Sequence, residues 1–161
     1  MPNYSAQYVA LANITLGSTQ AAITFSNIPA IYRDLVLVIT GAGSGTDNLT
    51  LQFNSDTGTN YNRVSMNGNS ITGAYSNSNF SVDRLYGAVG DNSSLNAQWS
   101  IMDYSATDKH KSILIRSNSF GGEQNVVAST GRWASTSAIT SIKVYGTTYQ
   151  VGSTFVLYGV R

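Results

Sequence analysis

The chain has 161 residues, of which 11% are charged, and 9 Lys+Arg against 8 Asp+Glu leave a net charge of +1. That length suits one domain, 1–161, with a core large enough to fold unaided. The charge balance excludes long-range attraction to nucleic acid or an anionic membrane, and the absence of cysteine excludes disulfides, zinc–thiolate sites and thiol nucleophiles.

No window sustains apolar residues at i, i+3 and i+4. Short apolar runs rich in β-branched and aromatic residues recur between Gly, Asn, Ser and Thr, which is strand periodicity. Met1-Pro2-Asn3-Tyr4-Ser5 lacks the basic and apolar regions of a signal peptide, and residues 1–7 are expected to form an extended arm reaching a neighbouring subunit. No apolar run approaches the roughly 20 residues of a membrane span.

The expected strands follow in chain order. Gln7–Leu16 comes first, with a break near Asn13, then Ala21–Phe25. Asp34–Thr40 (DLVLVIT) is almost wholly apolar, so it is expected to be central and covered on both faces. Asn48–Asn54 alternates, with Leu49, Leu51 and Phe53 on one face. Arg63–Met66, Ser70–Ala74 and Phe80–Tyr86 carry weaker signals. Ala97–Tyr104, Lys111–Ser117, Asn125–Trp133, Ile139–Tyr145 and Thr154–Val160 complete the series. Gly41 to Thr46 and Gly121-Gly122 are expected connectors, and Asn67-Gly68 an expected type I′ hairpin turn. Ser55 to Asn79 is the least regular stretch and is expected to form a long excursion at one end. Many short strands with such turns predict an all-β sandwich or barrel. Leu37, Phe53, Trp99, Ile101, Ile115, Val144 and Leu157 are the expected core.

Catalytic signals are weak. The single histidine, His110, sits in a DKHK turn and has only the nearby Asp108 as an orienting carboxylate. The acidic residues show no pairing suited to glycoside hydrolysis. Asn54 to Asn60 (NSDTGTN) has oxygen-bearing side chains at alternate positions, as a weak calcium loop would, but lacks the closing glutamate. Gly41-Ala42-Gly43-Ser44-Gly45-Thr46 lacks the lysine of a phosphate-binding loop. The expectation is a protein that is not an enzyme and uses no cofactor and no metal. The 10 tyrosines, among few charges, suit adaptable contact surfaces. Tyr4, Tyr61, Tyr75 and Tyr149 are the candidate interface residues, and Trp99 and Trp133 are expected in the core.

Two passages carry a family resemblance. One is Phe25-x-x-Ile28-Pro29-x-x-Tyr32-x-Asp34-Leu35-x-Leu37, with Leu51-x-Phe53-Asn54-x-Asp56 and Asn60-Tyr61. The other is Ile139-Thr140-Ser141-Ile142 with Gly152-Ser153-Thr154-Phe155-x-Leu157-Tyr158-Gly159-Val160. Together they resemble small virion proteins of tailed bacteriophages. The resemblance implies a jelly-roll-like antiparallel β-sandwich. It also implies a capsid decoration or cement protein, made in the host cytoplasm and placed on the capsid surface. Its partners would be the major capsid protein and further copies of itself, as a homotrimer. The alternative expectation is a tail-fibre or receptor-binding module that recognises host-surface glycans.

Overall fold

The computed structural model describes residues 7–44, 48–69, 73–89, 94–120 and 125–161. These contain twelve strands and no helix. In chain order they are β1 (Tyr8–Thr15), β2 (Gln20–Phe25), β3 (Asp34–Ser44), β4 (Asn48–Phe53), β5 (Tyr61–Asn69) and β6 (Gly73–Val82). There follow β7 (Leu85–Val89), β8 (Ser94–Met102), β9 (Lys111–Phe120), β10 (Val126–Trp133), β11 (Ile142–Tyr149) and β12 (Thr154–Val160). No helix long and apolar enough to cross a membrane occurs among the described residues.

Every pairing is antiparallel, and the strands form two ladders. The wide one runs β1-β12-β3-β8-β9-β10-β5-β6 and the narrow one β2-β11-β4-β7. β3 belongs to both. Residues 35–42 pair with β8, whereas Gly43 and Ser44 pair with Tyr149 and Thr148 of β11.

The ladders face each other across one core, because alternation sends one side of each strand inward. Leu35, Leu37, Ile39, Trp99, Ile101, Ile113, Ile115, Phe155 and Leu157 of the wide layer meet Ile23, Phe25, Leu49, Leu51, Phe53, Leu85, Ile142 and Val144 of the narrow one. All seven expected core residues are in this cluster, together with both tryptophans. Packing is close. A β-carbon at Gly87 of β7 would collide with the Trp99 ring of β8, and one at Gly131 of β10 would press on Leu85 of β7. The Phe53 ring of β4 lies 5.5 Å from that of Trp133 on β10.

Several expectations are corrected. Ser55 to Asn79 is not an irregular excursion: it holds all of β5 and most of β6. Asn67-Gly68 is not a turn, because the ladder carries it onward, pairing Asn67 with Tyr75 and Val127 and Gly68 with Ala74 and Val126. The polar character of this hairpin hides an alternation of burial along β5, and pairing with β10 supplies the order that its own composition does not. Gly41 is no connector but lies within β3, packed against Ser153. The expected strand Phe80–Tyr86 is interrupted at Asp83 and Arg84, which separate β6 from β7. β3 is covered on both faces only in part, since Val36 is buried but Val38 is half-buried. The irregularity of β1 falls between Ala10 and Ala12 rather than at Asn13. Gly121-Gly122 and nearly all of the N-terminal arm lie outside the described residues.

Leu37→Ala and Leu157→Ala are each expected to cost about 2–5 kcal/mol, as large-to-small changes at fully packed sites do. Denaturant unfolding measures this, with Val38→Ala on the half-exposed side of β3 as a milder control. Unchanged midpoints for both leucine variants would refute the inward register.

Candidate binding cleft and docking face

The four candidate tyrosines part company. Tyr4 lies outside the described residues. Tyr61 and Tyr149 are corrections: both are fully buried and neither is available to a partner. Their sequence neighbours are polar because strand alternation turns those neighbours outward while the tyrosines turn in. The Tyr61 ring stacks on Trp133 at 6.3 Å, and its hydroxyl accepts a hydrogen bond from the Phe53 amide at 3.0 Å. Tyr149 meets Phe155 edge-on at 4.9 Å. Burial pushes both phenols well above the ordinary tyrosine range. Only Tyr75, 41% exposed on β6, remains at a surface.

The segment from Asn54 to Asn60 is a corner whose oxygens serve internal donors. Asn54 and Ser55 have φ of 52° and 56°, a left-handed turn that asparagine tolerates. The Asn54 side-chain oxygen accepts from the Thr140 and Ser141 amides at 2.8 and 3.1 Å, and its Nδ2 donates to the Ala138 carbonyl at 2.7 Å. The Asp56 carboxylate accepts from Trp133 Nε1 at 2.7 Å, from the Gly58 amide at 2.8 Å and from Asn60 Nδ2 at 2.9 Å. No group of three or more metal-ligating side chains occurs among the described residues.

The DKHK turn contains a feature the sequence reading missed. His110 is exposed, but Lys111 is fully buried. Its Nζ donates to the carbonyls of Ala106 at 2.7 Å, Lys109 at 3.0 Å and Thr136 at 3.4 Å. Three carbonyls thus solvate an ammonium that has no carboxylate partner, and burial still lowers its pKa. The signal was present: Lys111, Ile113 and Ile115 alternate on one face of β9.

A second buried cation is treated differently. The narrow layer ends at β7, whereas the wide one continues beyond it through β5 and β6. Along this overhang the inward positions become polar. Arg63, Ser65 and Asn67 of β5 stand opposite Asn79, Asn77 and Tyr75 of β6. With Tyr86 and Gly87 from β7, Arg63, Asn67, Tyr75, Asn77 and Asn79 line a cleft of about 270 Å³. Arg63 is only 6% exposed. Its Nη1 donates to the Tyr86 carbonyl at 3.0 Å, while its buried Nε has no partner. Burial pushes the guanidinium below the usual arginine range, opposed by the Tyr75 and Tyr86 phenols. The ion pairs among the described residues are Arg33–Asp34, Arg84–Asp83 and Lys109–Asp103, so no carboxylate pairs with Arg63 there.

The opposite, outer face of the same overhang carries exposed apolar side chains among polar ones. Cross-strand rows bring Val64 beside Thr130 and Leu114, and Met66 beside Ala128, with Val126 one pair further along. Met66 is 70% and Val126 65% exposed, and Phe80 is also exposed at the rim. A shallow groove of about 520 Å³ crosses this face between Asn62, Val64, Phe80, Ser112, Thr130 and Arg132.

The Asp56 corner makes a pH prediction. Burial acts to raise its pKa, but the hydrogen bonds from Trp133, Asn60 and Gly58 outweigh it, so the folded carboxyl titrates below its ordinary value. Its contribution is therefore complete above the unfolded pKa of about 3.9 and is lost as pH falls through the lower folded value. Asp56→Asn is expected to melt earlier at neutral pH and to lose less further stability below about pH 4 than the parent chain. Parallel pH profiles for the two proteins would exclude Asp56 as the linked group.

A scan against protein-family models finds no match to this chain, and a search of curated proteins finds none either.

Proposed function

We propose that this chain is a structural protein of a bacteriophage particle, a capsid decoration or cement protein that works by contact rather than catalysis. The observation that carries the reading is the outer face of the overhang, with Val64, Met66, Leu114 and Val126 exposed on it. A cluster of exposed apolar side chains on one sheet face marks a place where another protein sits. The docking partners in this reading are the major capsid protein and neighbouring copies of the chain, arranged as a trimer.

The nested pairing supports a jelly-roll reading. β1 lies beside β12 and β2 beside β11, and the sets β1-β12-β3-β8 and β2-β11-β4-β7 interleave like a folded antiparallel pair. The β5–β6 and β9–β10 hairpins then widen one set. Viral capsid proteins use this architecture, but so do lectins and cupins, so the fold supports the reading without carrying it. Low net charge limits repulsion between closely spaced copies. Specific interfaces bury about 1,200–2,000 Å², and repetition over a symmetric shell multiplies the effect of each. The glycan-receptor reading loses two of the tyrosines that suggested it, since Tyr61 and Tyr149 are internal, and keeps Tyr75.

Adding the purified chain to particles stripped of it is expected to restore binding and to raise the particle melting temperature. Met66→Glu and Val126→Lys are expected to leave the isolated chain's own melting temperature nearly unchanged and to abolish rebinding. Failure of the parent chain to rebind, or rebinding with no gain in particle stability, would overturn the cement reading. Rebinding by both variants would remove the outer face from it.

A further inference from the structure

We propose that the cleft beneath the β5–β6 hairpin is a ligand site for a carboxylate-bearing sugar, a uronic or sialic acid unit, whose carboxylate pairs with Arg63. This does not depend on where the protein resides, because it rests on the inner side of the overhang and not on the outer docking face.

The central fact is an incompletely satisfied cation. A guanidinium taken out of water loses several kcal/mol of hydration unless a partner replaces it. Lys111 shows how this chain satisfies a buried cation that stays internal, by surrounding it with three carbonyls. Arg63 receives one carbonyl, from Tyr86, lies 5.9 Å from the centre of the Tyr86 ring, and keeps a buried Nε with no acceptor. It also lines an open cleft. A nearly buried cation that borders a cavity, with no carboxylate partner among the described residues, is arranged for an incoming anion. The planar fork of arginine matches a carboxylate with two parallel hydrogen bonds.

The other walls specify what the anion is attached to. Asn67, Asn77 and Asn79 offer amide donors and acceptors, and Tyr75 and Tyr86 offer phenols, all of which match sugar hydroxyls. Asn67 Nδ2 is already engaged with Ser65 Oγ at 2.9 Å, which leaves its carbonyl oxygen to accept. The half-exposed Tyr75 ring gives a flat face at the mouth. No aliphatic side chain lines the cleft, so an apolar ligand has nothing to pack on. A volume of about 270 Å³ lies below the roughly 300–1,000 Å³ of drug-sized sites, which fits a single ring at the end of a chain.

The test is a melting titration of the full chain with glucuronate, galacturonate and N-acetylneuraminate, beside glucose, galactose, acetate and glutamate. At about 100-fold excess over Kd, an acidic sugar is expected to raise Tm by roughly 5–10 °C, while neutral sugars leave it unchanged. Arg63→Gln is expected to remove the shift and Tyr75→Ala and Asn77→Ala to reduce it. Arg63→Met without ligand is expected to melt at or above the parent temperature, because it deletes an uncompensated buried charge. A shift of the same size with acetate or glutamate would overturn the sugar assignment in favour of an acidic protein side chain. No shift with any carboxylate would overturn the site itself. A large fall in Tm for Arg63→Met would show that the guanidinium is already satisfied within the fold, and would overturn the premise.

Discussion

Four strands can cover only part of what eight present, and this inequality of width governs the molecule. Where the layers overlap, inward positions are Leu, Ile, Val, Phe and Trp, and burying them supplies most of the stability at roughly 25 cal/mol per Å² of apolar area. Beyond β7 the narrow layer has no further strand among the described residues. Inward positions on β5 and β6 are polar there, and the apolar residues of the hairpin face outward instead. The inversion of pattern across a single hairpin creates both the cleft and the exposed apolar positions of the outer face.

An overhang of this kind needs an anchor, because an isolated two-stranded hairpin is marginal in water. β10 provides one side of it through an unbroken run of paired residues with β5. The aromatic trio of Phe53, Tyr61 and Trp133 provides the other, bridging β4 of the narrow layer to β5 and β10 of the wide one. Asp56 ties the trio to the corner after β4 by accepting the Trp133 indole proton, and Asn54 ties that corner to the loop before β11. The corner that resembles a cation loop in sequence is thus a brace, which fixes the root of the β5–β6 hairpin.

Buried polar groups in this fold fall into two kinds. Lys111, fully buried, and Asp56, half-buried, are both surrounded by acceptors or donors from their own chain, which offsets the hydration they lose. Arg63 is not, although it sits on a strand with neighbours able to serve it. The same rule of solvation that makes the first two structural makes the third a reason to look for a ligand.

Much of the architecture was legible in the residues. Periodicity of two placed most strands, located both tryptophans and picked the core positions, because a half-buried strand must alternate whatever it packs against. In β5 it caught only Arg63–Met66, because the pattern there is inverted, with Val64 and Met66 outward and Arg63, Ser65 and Asn67 inward, and so hid Arg63 as a site residue. It also misplaced Tyr61 and Tyr149, whose neighbours in sequence are polar but whose neighbours in space are Trp133 and Phe155. The sequence by itself determined which residues form strands and which side of each turns inward, since that depends on the chain's own geometry. Only the tertiary structure decided how far one layer extends past the other, and hence which inward residue meets a core and which meets a cleft. That depends on strand order, a long-range pairing that local residue pattern does not encode.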